Sequence, residues 1–182
     1  NPDEQIFAST VIADVEFGPR NLGCSADEAR SRAMAALETV GLAAEADTHP
    51  LHLSLSERKR VALAGVLAMQ TPIVVLDEPT TGQDAGGVAM VAGVVEALAS
   101  AGRTVIAITH DMDFAAEHFD RVVVMAKGEV LVDGAPATVF GEADALARAA
   151  VEPPQLFRLA AHLGWPDRPL TVEGFVDAFE RR

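Results

Sequence analysis

Cysteine is nearly absent from this chain. Cys24 is the single one among 182 residues, so no internal disulfide can form, and a reducing compartment is the natural setting. No stretch approaches the ~18–20 uninterrupted apolar residues of a membrane-crossing helix, and no secretory leader is visible. Positive charge is scarce too: 14 Lys and Arg face 27 Asp and Glu, a formal net charge of −13. That balance argues against nonspecific binding to nucleic acid or to an anionic membrane. No internal repeat or low-complexity tract stands out. Apolar residues are abundant at 49% of the chain, enough for one sizeable core and one domain with room for an appendage.

The order of elements follows from caps and periodicity. Ser25-Ala26-Asp27-Glu28 reads as a capping box that opens a helix to about Val40, ended by Gly41. Asp47 to Leu51 reads as a loop. Ser54 to Glu57 is a second capping box, opening a helix to about Met69. Ile73-Val74-Val75-Leu76 is a continuous apolar run, the pattern of a strand buried on both faces of a parallel sheet. A helix from about Gly87 to Ser100, a strand over Thr104–Thr109, a short helix in "MDFAAEHF" and a strand over Arg121–Met125 follow. Lys127-Gly128-Glu129 turns into "VLVDG", a small hairpin. Alternating strands and helices predict the α/β class. Beyond Phe140 the chain reads as a helical appendage over 141–182, broken at Pro153-Pro154 and from Gly164 to Pro169. Its last amphipathic helix carries Phe175, Val176 and Phe179.

Two stretches carry chemistry. Asp77 and Glu78 stand where a parallel strand ends, the edge at which open α/β sheets bind ligands. An aspartate there can hold Mg²⁺ through water, and a neighbouring carboxylate can orient and deprotonate an attacking water. The bland alternative is two acids that end a strand and begin a turn. The turn Thr80-Thr81-Gly82-Gln83-Asp84 and a second strand end, Thr109-His110-Asp111, shift the balance towards a ligand edge. His110 suits a phosphate oxygen, or a bond to its own loop. The second stretch is "LSLSERKR" at 53–60. Its helix N-terminus presents free N–H groups and the positive dipole end to an anion, with Ser54 adding a hydroxyl. Equally, Ser54 and Glu57 form an ordinary cap, and Arg58, Lys59 and Arg60 a solvated face.

Taken together, these motifs resemble the nucleotide-binding domains of ATP-binding cassette (ABC) transporters. "LSLSE" lies where that family has its LSGGQ signature, "IVVLDEP" looks like Walker B, "TGQD" like the D-loop and "ITHD" like the switch region. "NPDEQIF…DVEFGPRNLG", "KRVALAGVLAM" and "VEPPQLFRLAAHLG" followed by "LTVEGFVDAF" resemble the ATP-binding subunits of energy-coupling factor transporters, which serve cobalt, nickel and vitamin uptake. The resemblance covers essentially the whole chain. It implies a P-loop NTPase-like α/β fold. Residues 1–140 would form a partial ATP-binding domain, with the helical and signature region over 1–70 and Walker B to switch over 71–140. Residues 141–182 would be the appendage.

The resemblance further implies ATP and Mg²⁺ as cofactors. Asp77 would place Mg²⁺ through water, Glu78 would polarise the attacking water, and His110 would contact the γ-phosphate. Ser54, Leu55, Ser56 and Glu57 of the signature and Asp84 of the D-loop would complete the nucleotide-binding set. Partners would be a second ATP-binding subunit, paired head to tail, a transmembrane coupling subunit and a substrate-binding membrane subunit. Nucleic acid would not be among them. The place would be the cytoplasmic face of the membrane.

This sequence departs from the family pattern. It has no G-x-x-x-x-G-K-[ST], and its two lysines, Lys59 and Lys127, follow no glycine loop. Gln5 is not the family's Q-loop glutamine. Leu55 and Ser56 replace both signature glycines, where glycine lets backbone approach phosphate. With Asn1 rather than Met at the start, the expectation is an N-terminally truncated ATPase. The competing class is a non-catalytic module that docks on a transporter membrane subunit or an intact paralogue.

Overall fold

A computed structural model describes residues 5–181; Asn1–Glu4, which begin the first family-like stretch, lie outside the described residues. The chain forms two compact units. One holds the residues up to Leu76 together with Thr80–Ile106; the other holds Asp77–Pro79 and the residues from Ala107 onward.

In the first unit three helices pack on one another: α1 (Val11–Asn21), α2 (Ala26–Thr39) and α3 (Leu55–Ala68). Both expected caps form. The Ser25 hydroxyl accepts from the Glu28 N–H at 3.2 Å, although the Glu28 carboxylate turns to Arg32 at 2.5 Å instead of closing the box. Ser54 and Glu57 make the complete reciprocal box at the start of α3. Helix α1 was not anticipated. The Thr10 hydroxyl caps it by accepting from Ala13 N–H at 3.3 Å, and it buries Val11, Ile12, Val15, Glu16 and Pro19. Those positions recur at helical spacing, but Gly18-Pro19 reads locally as a break. Pro19 lies in the last turn, where it withholds the N–H that would bond to Val15 O, and burial of this helix face outweighs that loss. Side chains of the three helices, among them Val11, Val15, Leu37, Val40, Val61 and Ala64, form the core. The Glu16 carboxylate, 5% exposed, is held by Arg20 of its own helix and by Arg30 of α2 at 3.3 Å. Two guanidinium partners offset the cost of burying that charge.

Strand β1 (Ile73–Asp77) pairs with β2 (Thr104–Ile108), and α4 (Ala85–Ser100) connects them. Thr104 N–H donates to Pro72 O at one end and Glu78 N–H to Ile108 O at the other, at 2.9 and 2.8 Å. The strands therefore start together and end together, as a parallel pair joined through a helix must. The expectation of burial on both faces fails. Val74 and Leu76 are buried, whereas Ile73, Val75, Ile106 and Ile108 are each 48–56% exposed. Alternation returns because only one face of this two-stranded sheet is covered.

An aliphatic strand face of this kind invites association. We expect the 182-residue chain to self-associate in sedimentation velocity, and Val75→Lys with Ile106→Lys to move it towards monomer. A wild-type chain that sediments as a monomer across the accessible concentration range would refute this.

The second unit contains α5 (Met112–His118), β3 (Val122–Ala126), β4 (Glu129–Gly134), α6 (Pro136–Val139), α7 (Ala143–Ala149), α8 (Gln155–His162) and α9 (Val172–Glu180). The expected hairpin is β3–β4, antiparallel from Val122↔Gly134 to Ala126↔Glu129, with an irregularity between Val124 and Met125. Lys127 and Gly128 both take positive φ, 52° and 82°, as a two-residue turn matched to strand twist requires. Arg121 grips Asp133 through two bonds of 2.7 Å and holds that carboxyl below the usual aspartate range. Val124, Val139, Phe140, Leu146 and Phe157 make the core. The Trp165 indole stacks on Phe175 of α9 at 4.8 Å.

Candidate functional site

In the first unit the site residues gather at the start of α3 and the start of α4. Ser54 is the N-cap of α3. Its N–H donates to Glu57 Oε2 at 2.7 Å, its hydroxyl reaches the same oxygen at 2.7 Å, and Glu57 N–H donates back to Ser54 Oγ at 3.3 Å. These bonds, from the Ser54 hydroxyl first and its N–H second, hold the Glu57 carboxyl below the ordinary glutamate range. Ser54 and Leu55 are exposed, Leu55 at 49%. Asp84 caps α4, its Oδ1 accepting from Gly87 N–H at 2.7 Å. Ser54 forms the cap that local sequence predicts, Asp84 caps a helix that starts earlier than the expected Gly87, and both cap exposed helix N-termini, where an anion is favoured.

The basic run 58–60 is not a solvated face. Arg58 donates to Leu53 O at 2.8 Å, Arg60 to Val40 O at 3.1 Å at the end of α2, and the Lys59 ammonium to Thr81 O. Ser56, which replaces the second signature glycine, donates its hydroxyl proton to Gln83 Oε1 at 2.6 Å. Sequence reasoning placed Gln83 in the turn but gave it no role. The bond joins residues 27 apart, a separation at which no local pattern signals a contact.

In the second unit Asp77 and Glu78 leave the end of β1. Asp77 is exposed and Glu78 half-buried. Glu78 takes a φ of 48°, a left-handed conformation that costs a non-glycine residue free energy and concentrates at functional positions. Its Oε1 lies 3.6 Å from Nε2 of His110, whose side chain is 93% exposed. A pair with one largely exposed partner adds little stability by itself. His110 is flanked by an ordered bend: Asp111 N–H donates to Thr109 Oγ1 at 2.9 Å, and Asp111 Oδ1 caps α5 through Phe114 N–H at 3.0 Å. Glu78 and His110, predicted to share an edge, do so.

The donor set fits magnesium of a particular kind. Among the described residues no group of three or more His, Cys, Asp or Glu side chains is placed to hold a metal. An exposed Asp77 beside Glu78 suits an ion that keeps most of its waters and takes one or two carboxylates.

Comparison with known proteins bears on the family and the fold. Residues 2–81 match the family model described as ABC transporter. The chain is 40% identical over 182 residues to the energy-coupling factor transporter ATP-binding protein EcfA of Methanocaldococcus jannaschii, covering 100% of this chain and 65% of that one. This chain belongs to the ABC transporter ATP-binding proteins. Its α/β fold is the ABC ATPase fold. The structure of cbiO1 from Clostridium perfringens, described as part of the ABC transporter complex cbiONQ, matches with a TM-score of 0.69 at 36% identity, over 90% of this chain and 64% of that one. A dimeric, post-hydrolysis ATP-binding cassette bound to ADP and Pi matches with a TM-score of 0.64 at 28% identity, over 72% and 58%. The chain spans between about a quarter and two thirds of the length of the first curated relatives it matches.

Proposed function

We propose that this ABC chain works as an ATP-hydrolysing subunit of an energy-coupling factor importer, powering uptake of a metal ion such as cobalt or nickel, or of a vitamin. The observation that carries the reading is the Glu78–His110 pair at the end of β1. A strained glutamate and an exposed histidine face one another there, beside an aspartate suited to Mg²⁺. In this reading residues 1–140 carry the ATP-binding part and 141–182 the appendage. Asp77 holds Mg²⁺ through water, and the ion when bound neutralises charge on the phosphates. Glu78 takes the proton of the attacking water, and His110 donates to the γ-phosphate. Ser54, Leu55, Ser56, Glu57 and Asp84 face ATP held by a second ATP-binding subunit. The phosphate cradle comes from residues outside these 182, since the sequence has none. The subunit sits on the cytoplasmic face of the membrane against a transmembrane coupling subunit, and a separate membrane subunit selects the substrate. No helix among the described residues is long and apolar enough to cross a membrane itself.

A substitution at Ser54 tests the signature part of this reading. In the assembled transporter, Ser54→Ala should lower ATP turnover per folded molecule while sparing nucleotide binding within its own subunit. As a helix cap alone, Ser54 would contribute only stability, about 1 kcal/mol, and its loss would leave turnover unchanged. Measuring melting temperature and ATPase rate on the same sample separates the two. A lowered melting temperature with unaltered turnover would remove the signature role and leave the cap.

A further inference from the structure

We infer that Ser56 and Gln83 act together as a latch that sets the position of the D-loop turn on the signature helix, and that both are positioning residues for ATP-driven closure. The inference rests on the function proposed above. The turn runs Thr80-Thr81-Gly82-Gln83 and is closed by Gln83 N–H donating to Thr80 O at 3.1 Å. Gly82 supplies the positive φ, 69°, that the third position of such a turn demands. Thr80 is buried at 7% exposure, so one end of the turn is anchored. The other end runs into Asp84, the cap of α4.

Two side chains of α3 reach the turn between these ends. Ser56 Oγ donates to Gln83 Oε1 at 2.6 Å, and the Lys59 ammonium donates to Thr81 O. Residues 56 and 59 are three apart, so they share one face of the helix. That face carries the turn. The neighbouring glycine shows that the Gln83 side chain has a built seat. A Cβ on Gly87 would lie 2.5 Å from Gln83 Oε1 and 3.0 Å from Gln83 Cβ, closer than side chains pack. Gly87 thus leaves the space that the acceptor oxygen of the latch occupies.

Ser56 stands at a position where the family signature has glycine. A hydroxymethyl group there costs close backbone approach to phosphate. In return, this chain gains a bond that ties Ser54, two residues before Ser56, to Asp84, one residue after Gln83. The signature cap and the D-loop cap then shift as one piece, rather than as two loops that must be ordered separately when the partner's nucleotide arrives. Ordering in advance lowers the cost of closure.

The test uses Ser56→Ala, Gln83→Ala, the double variant and Ser56→Thr, which keeps the hydroxyl. Amide hydrogen exchange of the chain needs no nucleotide. Each Ala variant should speed exchange over residues 80–84 roughly fivefold, the effect of one net hydrogen bond. The double variant should be no faster than either single, and Ser56→Thr should stay near wild type. In the assembled transporter the Ala variants should lower kcat for ATP with KM held near its wild-type value, because closure and not own-subunit binding is affected. Unchanged exchange, or single effects that multiply in the double variant, would overturn the latch. Faster exchange with kcat per folded molecule unaltered would reduce it to a structural bond and overturn the positioning role. A wild-type assembly without ATPase activity would refute the function proposed above, and with it the positioning role, while exchange would still decide the bond.

Discussion

Glu78→Gln should lower ATP turnover by the assembled transporter ~10²–10⁴-fold, the range for removing a general base, and leave ATP binding near wild type. That range corresponds to roughly 3–5 kcal/mol of barrier. Glutamine preserves the length, the planar end and a hydrogen-bond acceptor, so water is still positioned. What it loses is the ability to take up a proton. The neighbouring His110 keeps its place beside residue 78, since Thr109 and Asp111 hold its loop. The variant should therefore accumulate ATP-bound, closed subunits, which equilibrium binding of labelled ATP and single-turnover hydrolysis report separately. Turnover within tenfold of wild type would remove Glu78 from the role of base. Loss of ATP binding in step with turnover would point instead to a positioning role at the strand end.

The strand end that carries Glu78 was legible because its signals are local. An apolar run closed by two acids, and a capping box such as Ser54 to Glu57, depend only on residues within a few positions. The pairing of Glu78 with His110 followed from topology, since parallel neighbouring strands end at the same edge. Three features were not legible, each for a physical reason. Helix α1 was hidden because Gly18-Pro19 carries a breaker signal that a buried helical face overrides. The open face of β1 was misjudged because an unbroken apolar run records suitability for burial on both sides, not whether both sides are covered in this chain. The Ser56–Gln83 bond and the carbonyl partners of Arg58, Lys59 and Arg60 were missed because tertiary packing makes them. A basic run on a helix reads as solvated until the backbone oxygens it covers are known.

Leu37→Ala should destabilise the chain by about 2–5 kcal/mol, the range for truncating a buried leucine. Leu37 is 0% exposed and lies among Val15 of α1, Val40 at the end of α2 and Val61 of α3 in the three-helix core. Its removal deletes apolar contact and leaves a cavity. Helices tied by several bonds, such as the grip of Arg30 on Glu16 and of Arg60 on Val40 O, have little room to close in. Native domains hold only ~5–15 kcal/mol in total, so the loss is a large part of the reserve. It also reaches the site, because the same core seats α3 and hence Ser54 and Ser56 at its start. Urea unfolding followed by far-ultraviolet ellipticity should show a lower midpoint with the slope retained. Leu37→Met, which nearly conserves volume, should cost less than ~1.5 kcal/mol. A Leu37→Ala chain as stable as wild type would mean that the three helices repack around the gap, and that the seat of the signature helix lies elsewhere than in this core.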